Sequence, residues 1–173
     1  MRERRHERSD DALRTRCERL LEAHRGIAFK VAATYCRHVE DRRDLVQEIH
    51  AQVWRAFPAY DDARPFSTWM YRIALNVAIS ATRAAQSALP LDRLDAEPAD
   101  DVDGRRETDD GVRALYRCIA RLAPLDRALL LLYLDEKSHR EIADVLGLSE
   151  TNVATKIGRL KRRIRDDLDP TGE

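Results

Sequence analysis

The sequence predicts an all-α protein: two small helical domains joined by an acidic flexible linker, the second a four-helix domain built on a helix-turn-helix. Three observations predict this. Apolar residues recur at steps of three and four through most of the chain, and no stretch alternates as a strand would. That period lapses between Ser87 and Gly111, where alanine, proline, aspartate and glycine dominate. Ser138 to Arg165 spells a helix, a tight turn and a second helix, with Ser138 and Glu141 as a capping box, Gly147 as the stop and Ser149 as a new N-cap. The boundaries that follow are residues 1–86, a linker at 87–111, a second domain at 112–168 and a tail at 169–173.

Charge is balanced overall and uneven locally. The 173 residues carry 31 lysines and arginines against 31 acids, a net charge of zero, so a nucleic-acid surface requires signs segregated along the chain. They are segregated: Pro90–Asp110 holds nine acids against Arg93, Arg105 and Arg106, and the last helix is crowded with cations. Cys17, Cys36 and Cys118 are odd in number and lack CxxC spacing, which excludes a disulfide framework and a zinc knuckle and reads as free thiols in a reducing cytosol. No apolar run reaches membrane-span length, and the first residues, MRERRHERSDD, lack a signal peptide's apolar core. A cytoplasmic protein without membrane insertion is expected.

Asp10 to Cys36 gives two helices bent near Gly26, with His24, His38 and His50 in structural or surface roles. A helix from about Asp41 or Asp44 to Phe57 buries Leu45, Ile49, Val53, Ala56 and Phe57. Its opposite side carries Asp44, Gln47, Glu48, Ala51 and Arg55, an acidic and amide strip suited to docking on a basic helix; a plain solvated face is the other reading. Pro58 breaks this helix, and the turn-rich loop Tyr60–Pro65 leads to Ser67 as N-cap of a long, largely apolar helix ending near Gln86. One strip of that helix is not apolar: Trp69, Arg72, Asn76 and Arg83, with Ser80 among them. A ring, two cations and an amide suit unpaired bases, which stack on a ring or guanidinium while phosphates meet the charges; Trp69 could equally be core.

After the linker, Val112, Leu115, Ile119 and Leu122 form one helix, and Pro124 opens another whose body is LDRALLLLYL. In the last helix Val153, Ile157, Leu160, Ile164 and Leu168 make the buried stripe, leaving Thr151, Asn152, Thr155, Arg159 and Arg162 outward among Lys156, Lys161, Arg163 and Arg165. Short polar groups near the N-terminus with cations behind them are the layout of a DNA recognition helix; a plain αα-hairpin with a basic last helix is the other reading. Gly158, inside it, costs about 1 kcal/mol against alanine and points to a close backbone approach.

Three stretches in order, DLVQE at 44–48, FSTWMYRIALN at 66–76 and LDRALLLLYLDEKSHREIADVLGLSETNVATKIGRLKRRIR, resemble the bacterial sigma factors, in the short two-domain extracytoplasmic-function (ECF) form, over about Leu13 to Leu168. The resemblance implies that Asp44, Gln47 and Glu48 contact core RNA polymerase, and that Tyr60, Arg64, Trp69, Arg72, Asn76 and Arg83 hold the melted −10 strand. It implies that Ser149, Thr151, Asn152, Thr155, Lys156, Arg159 and Arg162 read the −35 duplex, and that the acidic linker threads toward the RNA path. Ala154, Gly158 and Ser80 depart from residues common at those places, and the paired tryptophans of housekeeping sigma factors are missing near Arg72 and Ile73. With no self-inhibiting N-terminal domain, restraint is expected from a separate anti-sigma factor.

The expected function is promoter-specific transcription initiation with core RNA polymerase and promoter DNA as partners, no bond chemistry, no cofactor and no metal. The rival is a helix-turn-helix repressor or activator acting without stable core polymerase association. An enzyme reading finds no phosphate loop, nucleophile motif or metal-spaced ligand set, and only His24 with Cys36 as a conceivable thiol switch or ligand pair.

Overall fold

The computed structural model describes residues 3–88 and 118–168. Seven α-helices follow one another: α1 (Glu3–Ala23), α2 (Arg25–Tyr35), α3 (Val39–Ala56), α4 (Phe66–Ala88), α5 (Pro124–Leu134), α6 (His139–Leu146) and α7 (Glu150–Leu168). A 3-10 turn, Phe57–Ala59, follows α3, residues 118–121 are also helical, and no strand occurs among the described residues. The acidic linker and most of the helix expected from Val112 lie outside the described residues.

Where the chain departs from the periodicity, a backbone contact explains it. The α1–α2 joint falls at His24 and not at Gly26, which sits inside α2 with open space around it. The His24 ring explains this: Nδ1 lies 3.0 Å from the Leu20 carbonyl and the ring packs 5.1 Å from Phe66, which fixes the joint. α3 starts at Val39, ahead of Asp41, because Arg42 reaches back to donate to the Cys36 and Arg37 carbonyls (3.0 and 3.2 Å) and closes the α2–α3 joint. Ser67 does not cap α4. The Pro65 carbonyl already accepts from Trp69 N (3.2 Å), so Ser67 lies inside the first turn.

The first four helices pack α4 against α2 and α3, with Val31, Ile49, Val53, Met70, Tyr71 and Leu75 fully buried. The last three close around Leu129, Leu132, Ile142 and Val153. The helix-turn-helix is held by local chemistry: Ser138 Oγ accepts from Glu141 N (3.2 Å), Ser138 N donates to Glu141 Oε2 (2.9 Å), and Gly147 takes the left-handed conformation (φ 68°) that ends α6.

These two groups do not stand apart. α4 also meets α5 and α6, α2 meets α5, and one apolar cluster runs through both. Polar contacts rim the junction: Tyr35 OH donates to the Pro124 carbonyl (2.6 Å), Tyr71 OH donates to Asp135 Oδ2 (2.7 Å), and Lys30 pairs with Asp135 Oδ1. The breadth of the apolar face on α4 is accounted for by this second partner.

Candidate nucleic-acid and partner interfaces

Three surfaces carry the residues singled out by the sequence. On α3, Asp44, Gln47 and Glu48 are exposed opposite the buried Leu45, Val46, Ile49 and Val53. Glu48 is partly engaged by its own helix, accepting from Gln52 Nε2 (2.8 Å) with Arg55 Nη1 3.8 Å away. Ala51 between them is small and half-buried, which leaves the strip shallow enough for another helix.

The second surface is a cleft of about 440 Å³ between the end of α3 and the start of α4, lined by Ala56, Ala59, Asp61, Arg64, Trp69, Arg72, Ile73 and Asn76. It gathers Arg64, Trp69, Arg72 and Asn76 as expected. Arg83, though exposed, lies two turns further along α4 and does not line it. Tyr60 sits behind the wall, its ring 4.9 Å from Trp69 and its hydroxyl donating to the Arg64 carbonyl (2.7 Å). Burial and the carboxylate of Asp62 push the Tyr60 phenol above its ordinary pKa, so it remains a neutral donor. Trp69 is both core and cleft: one side packs on Phe57, Tyr60 and Phe66 at 4.9–6.3 Å and the other lines the opening. A flat apolar ring flanked by two guanidiniums, an amide and the Asp61 carboxylate can stack a planar group and bond its edge.

The third surface is the outer side of α7. Ser149, Thr151, Asn152, Thr155, Arg159 and Arg162 are exposed, and Lys156 is half-buried. Two of these have part of their bonding capacity committed to the helix: Ser149 Oγ accepts from Asn152 N (3.2 Å) and Thr155 Oγ1 donates to the Thr151 carbonyl (2.9 Å). Lys161 is held by the fold, its Nζ 4.2 Å over the Tyr133 ring, which lessens its availability to a phosphate. Gly158 is exposed with nothing within 4 Å of where a Cβ would stand, so no close approach among the described residues requires it.

Cys17 and Cys36 offer no rival site. Cys17 is fully buried, and burial together with Glu18 pushes it up to about 11; burial and Asp41 likewise raise half-buried Cys36. Both therefore stay as thiols at neutral pH, and His24 faces Leu20 and Phe66. Among the described residues no three His, Cys, Asp or Glu side chains gather to hold a metal ion, and no helix is long and apolar enough to cross a membrane.

The described residues thus hold a helix-turn-helix and, apart from it, a ring-lined cleft. Residues 20–88 match the model of sigma-70 region 2 and residues 112–164 that of sigma-70 region 4. The ECF RNA polymerase sigma factor SigW of Bacillus subtilis is 30% identical, across 76% of this chain and 77% of the relative. RNA polymerase sigma factor CnrH of Cupriavidus metallidurans is also 30% identical, across 88% and 87%. The chain spans 42% of the length of another relative, ECF RNA polymerase sigma factor SigG of Mycobacterium tuberculosis, at 30% identity across 73% of this chain. The fold is that of solved CnrH, described in complex with the cytosolic domain of CnrY: TM-score 0.64, 24% identity, covering 90% of this chain and 89% of that one. The chain belongs to the ECF family of RNA polymerase sigma factors.

Asp61, which the sequence marks only as part of the Tyr60–Pro65 loop and not by itself, lines the cleft. Arg16, on α1, reaches the same loop from 46 residues away, and no local signal announces that.

Proposed function

We propose that the chain is a promoter-specificity subunit that joins core RNA polymerase in the cytoplasm, reads a −35 duplex through α7 and captures the opened −10 strand in the α3–α4 cleft. It performs no bond chemistry of its own. The cleft carries the reading: its opening presents the Trp69 ring with Arg64, Arg72 and Asn76, groups suited to an unstacked base and its phosphates. A duplex offers no free base face to such a cleft, whereas the exposed first turns of α7 suit base edges in a major groove. Asp44, Gln47 and Glu48 are the docking strip for a basic helix of the polymerase. An anti-sigma factor is the proposed restraint, by analogy with CnrH, whose structure is described with the cytosolic domain of CnrY.

Run-off transcription with purified core polymerase tests the reading, with initiation at a defined site expected. A pull-down against core with Asp44→Arg and Glu48→Arg separates it from the repressor reading: retention should drop for the variants, and equal retention counts against the proposal.

A further inference from the structure

We propose that Arg16 of α1, which lies ahead of the residues matched by the region 2 model, is a positioning residue for the strand cleft; this rests on the function proposed above. Arg16 does not line the cleft. Its guanidinium lies 5.8 Å from the Phe57 ring centroid and 6.0 Å from that of Tyr60, and its Nη2 donates to Asp62 Oδ1. One side chain thus grips the loop at two places, the ring behind Trp69 and the exposed turn that presents Arg64.

The turn itself is built from short-range bonds: Asp61 Oδ1 accepts from Ala63 N (3.0 Å), the Asp61 carbonyl from Arg64 N (3.1 Å), and the Arg64 carbonyl from the Tyr60 hydroxyl (2.7 Å). Those bonds shape the loop but do not fix it to the helices beneath. The Arg16–Asp62 pair ties it to α1, and the guanidinium over Tyr60 backs the ring that Trp69 leans on at 4.9 Å. Arg16 also offsets the charge of Asp62, the neighbour in the loop of the cleft-lining Asp61. Both effects act on the strand through Tyr60, Arg64 and Trp69.

A merely structural Arg16 gives a different pattern. Its ion pair with Asp62 is substantially exposed, and such pairs add little to global stability, so a stability effect would be small and felt equally by every function. A positioning role concentrates the loss on strand capture.

The experiment uses the full chain bound to core polymerase. Three affinities are measured: for core, for a −35 duplex fork, and for a fluorescein-labelled non-template strand from a promoter at which the wild-type holoenzyme starts. For Arg16→Gln the expected result is a loss of about threefold or more in single-strand affinity with core and duplex affinities retained. Adding Asp62→Asn to Arg16→Gln should recover part of that loss by removing the uncompensated charge. Arg16→Lys, which keeps the charge without the flat guanidinium, should fall between. Wild-type strand affinity in Arg16→Gln, or an equal loss of all three affinities, overturns the proposal. Failure of the wild-type protein to direct any defined start is a separate result that sinks the parent reading instead.

Discussion

Arg159 stands exposed on α7 beyond the short polar residues of its first turns, where a guanidinium can reach either a guanine edge or a phosphate. Arg159→Ala is expected to weaken −35 binding by about 1–3 kcal/mol with relaxed selection at one position if it reads a base. If it meets only phosphate, the loss should be uniform across sequences with a shallower salt slope. Titration of holoenzyme on a small promoter library at several salt concentrations distinguishes the two. Trp69→Leu keeps apolar bulk in the aromatic cluster but removes the stacking face, so single-strand affinity should fall by about 1–3 kcal/mol with duplex affinity unchanged. Fluorescence anisotropy on both probes checks it, and an equal loss on duplex would assign Trp69 to the core alone. At this scale the candidate residues were legible where a helical period placed them on one face, as with Trp69, Arg72 and Asn76. Arg16 was illegible because Asp62, its partner, is far along the chain.

Elements were legible in proportion to how local their determinants are. The helix-turn-helix could be read residue by residue, since Ser138, Glu141, Gly147 and Ser149 cap it within a few positions of themselves. The start of α4 and the α1–α2 joint were misplaced by one or two residues because the Pro65 carbonyl and the His24 ring, not the apolar period, decide them. Gly158 shows the limit of reading a glycine as a contact, since the space around it is open. Gly158→Ala should therefore stabilise the protein by about 1 kcal/mol through better helix propensity, read as a higher melting temperature. An unchanged or lower melting temperature would mean the glycine meets a constraint absent from the described residues.

For the whole molecule, the junction between α2 with α4 and α5 with α6 could not be read from sequence, since Tyr35 and Pro124 are 89 residues apart and neither belongs to a motif. Asp135 is its centre. Partial burial works to raise its carboxyl, but hydrogen bonds from Lys30 and Tyr71 outweigh that and hold it below its ordinary value; burial and Asp135 raise the Tyr71 phenol. A depressed carboxyl stabilises closure fully above its free value, about pH 3.9, and loses that contribution as pH falls through the depressed one. A raised phenol stabilises closure fully below its free value, about pH 10, and loses it in stronger alkali. Closure should therefore hold through neutral pH and weaken at both extremes. Elements named −35 and −10 are about 25 base pairs apart, roughly 85 Å at 3.4 Å per pair, so on the function proposed above the two groups part on a promoter. Asp135→Ala, which removes the acceptor for both Lys30 and Tyr71, should increase the radius of gyration of the free protein by small-angle scattering at neutral pH, and an unchanged radius would show that the apolar contact alone suffices.

The most direct test of two grips by one polymerase-bound chain is permanganate and DNase footprinting on a promoter with core polymerase present and absent. The account predicts, only with core, protection over the −35 duplex together with reactive thymines around −10 and a single transcript start. Tight duplex protection without polymerase, and no opened strand with it, would contradict the account.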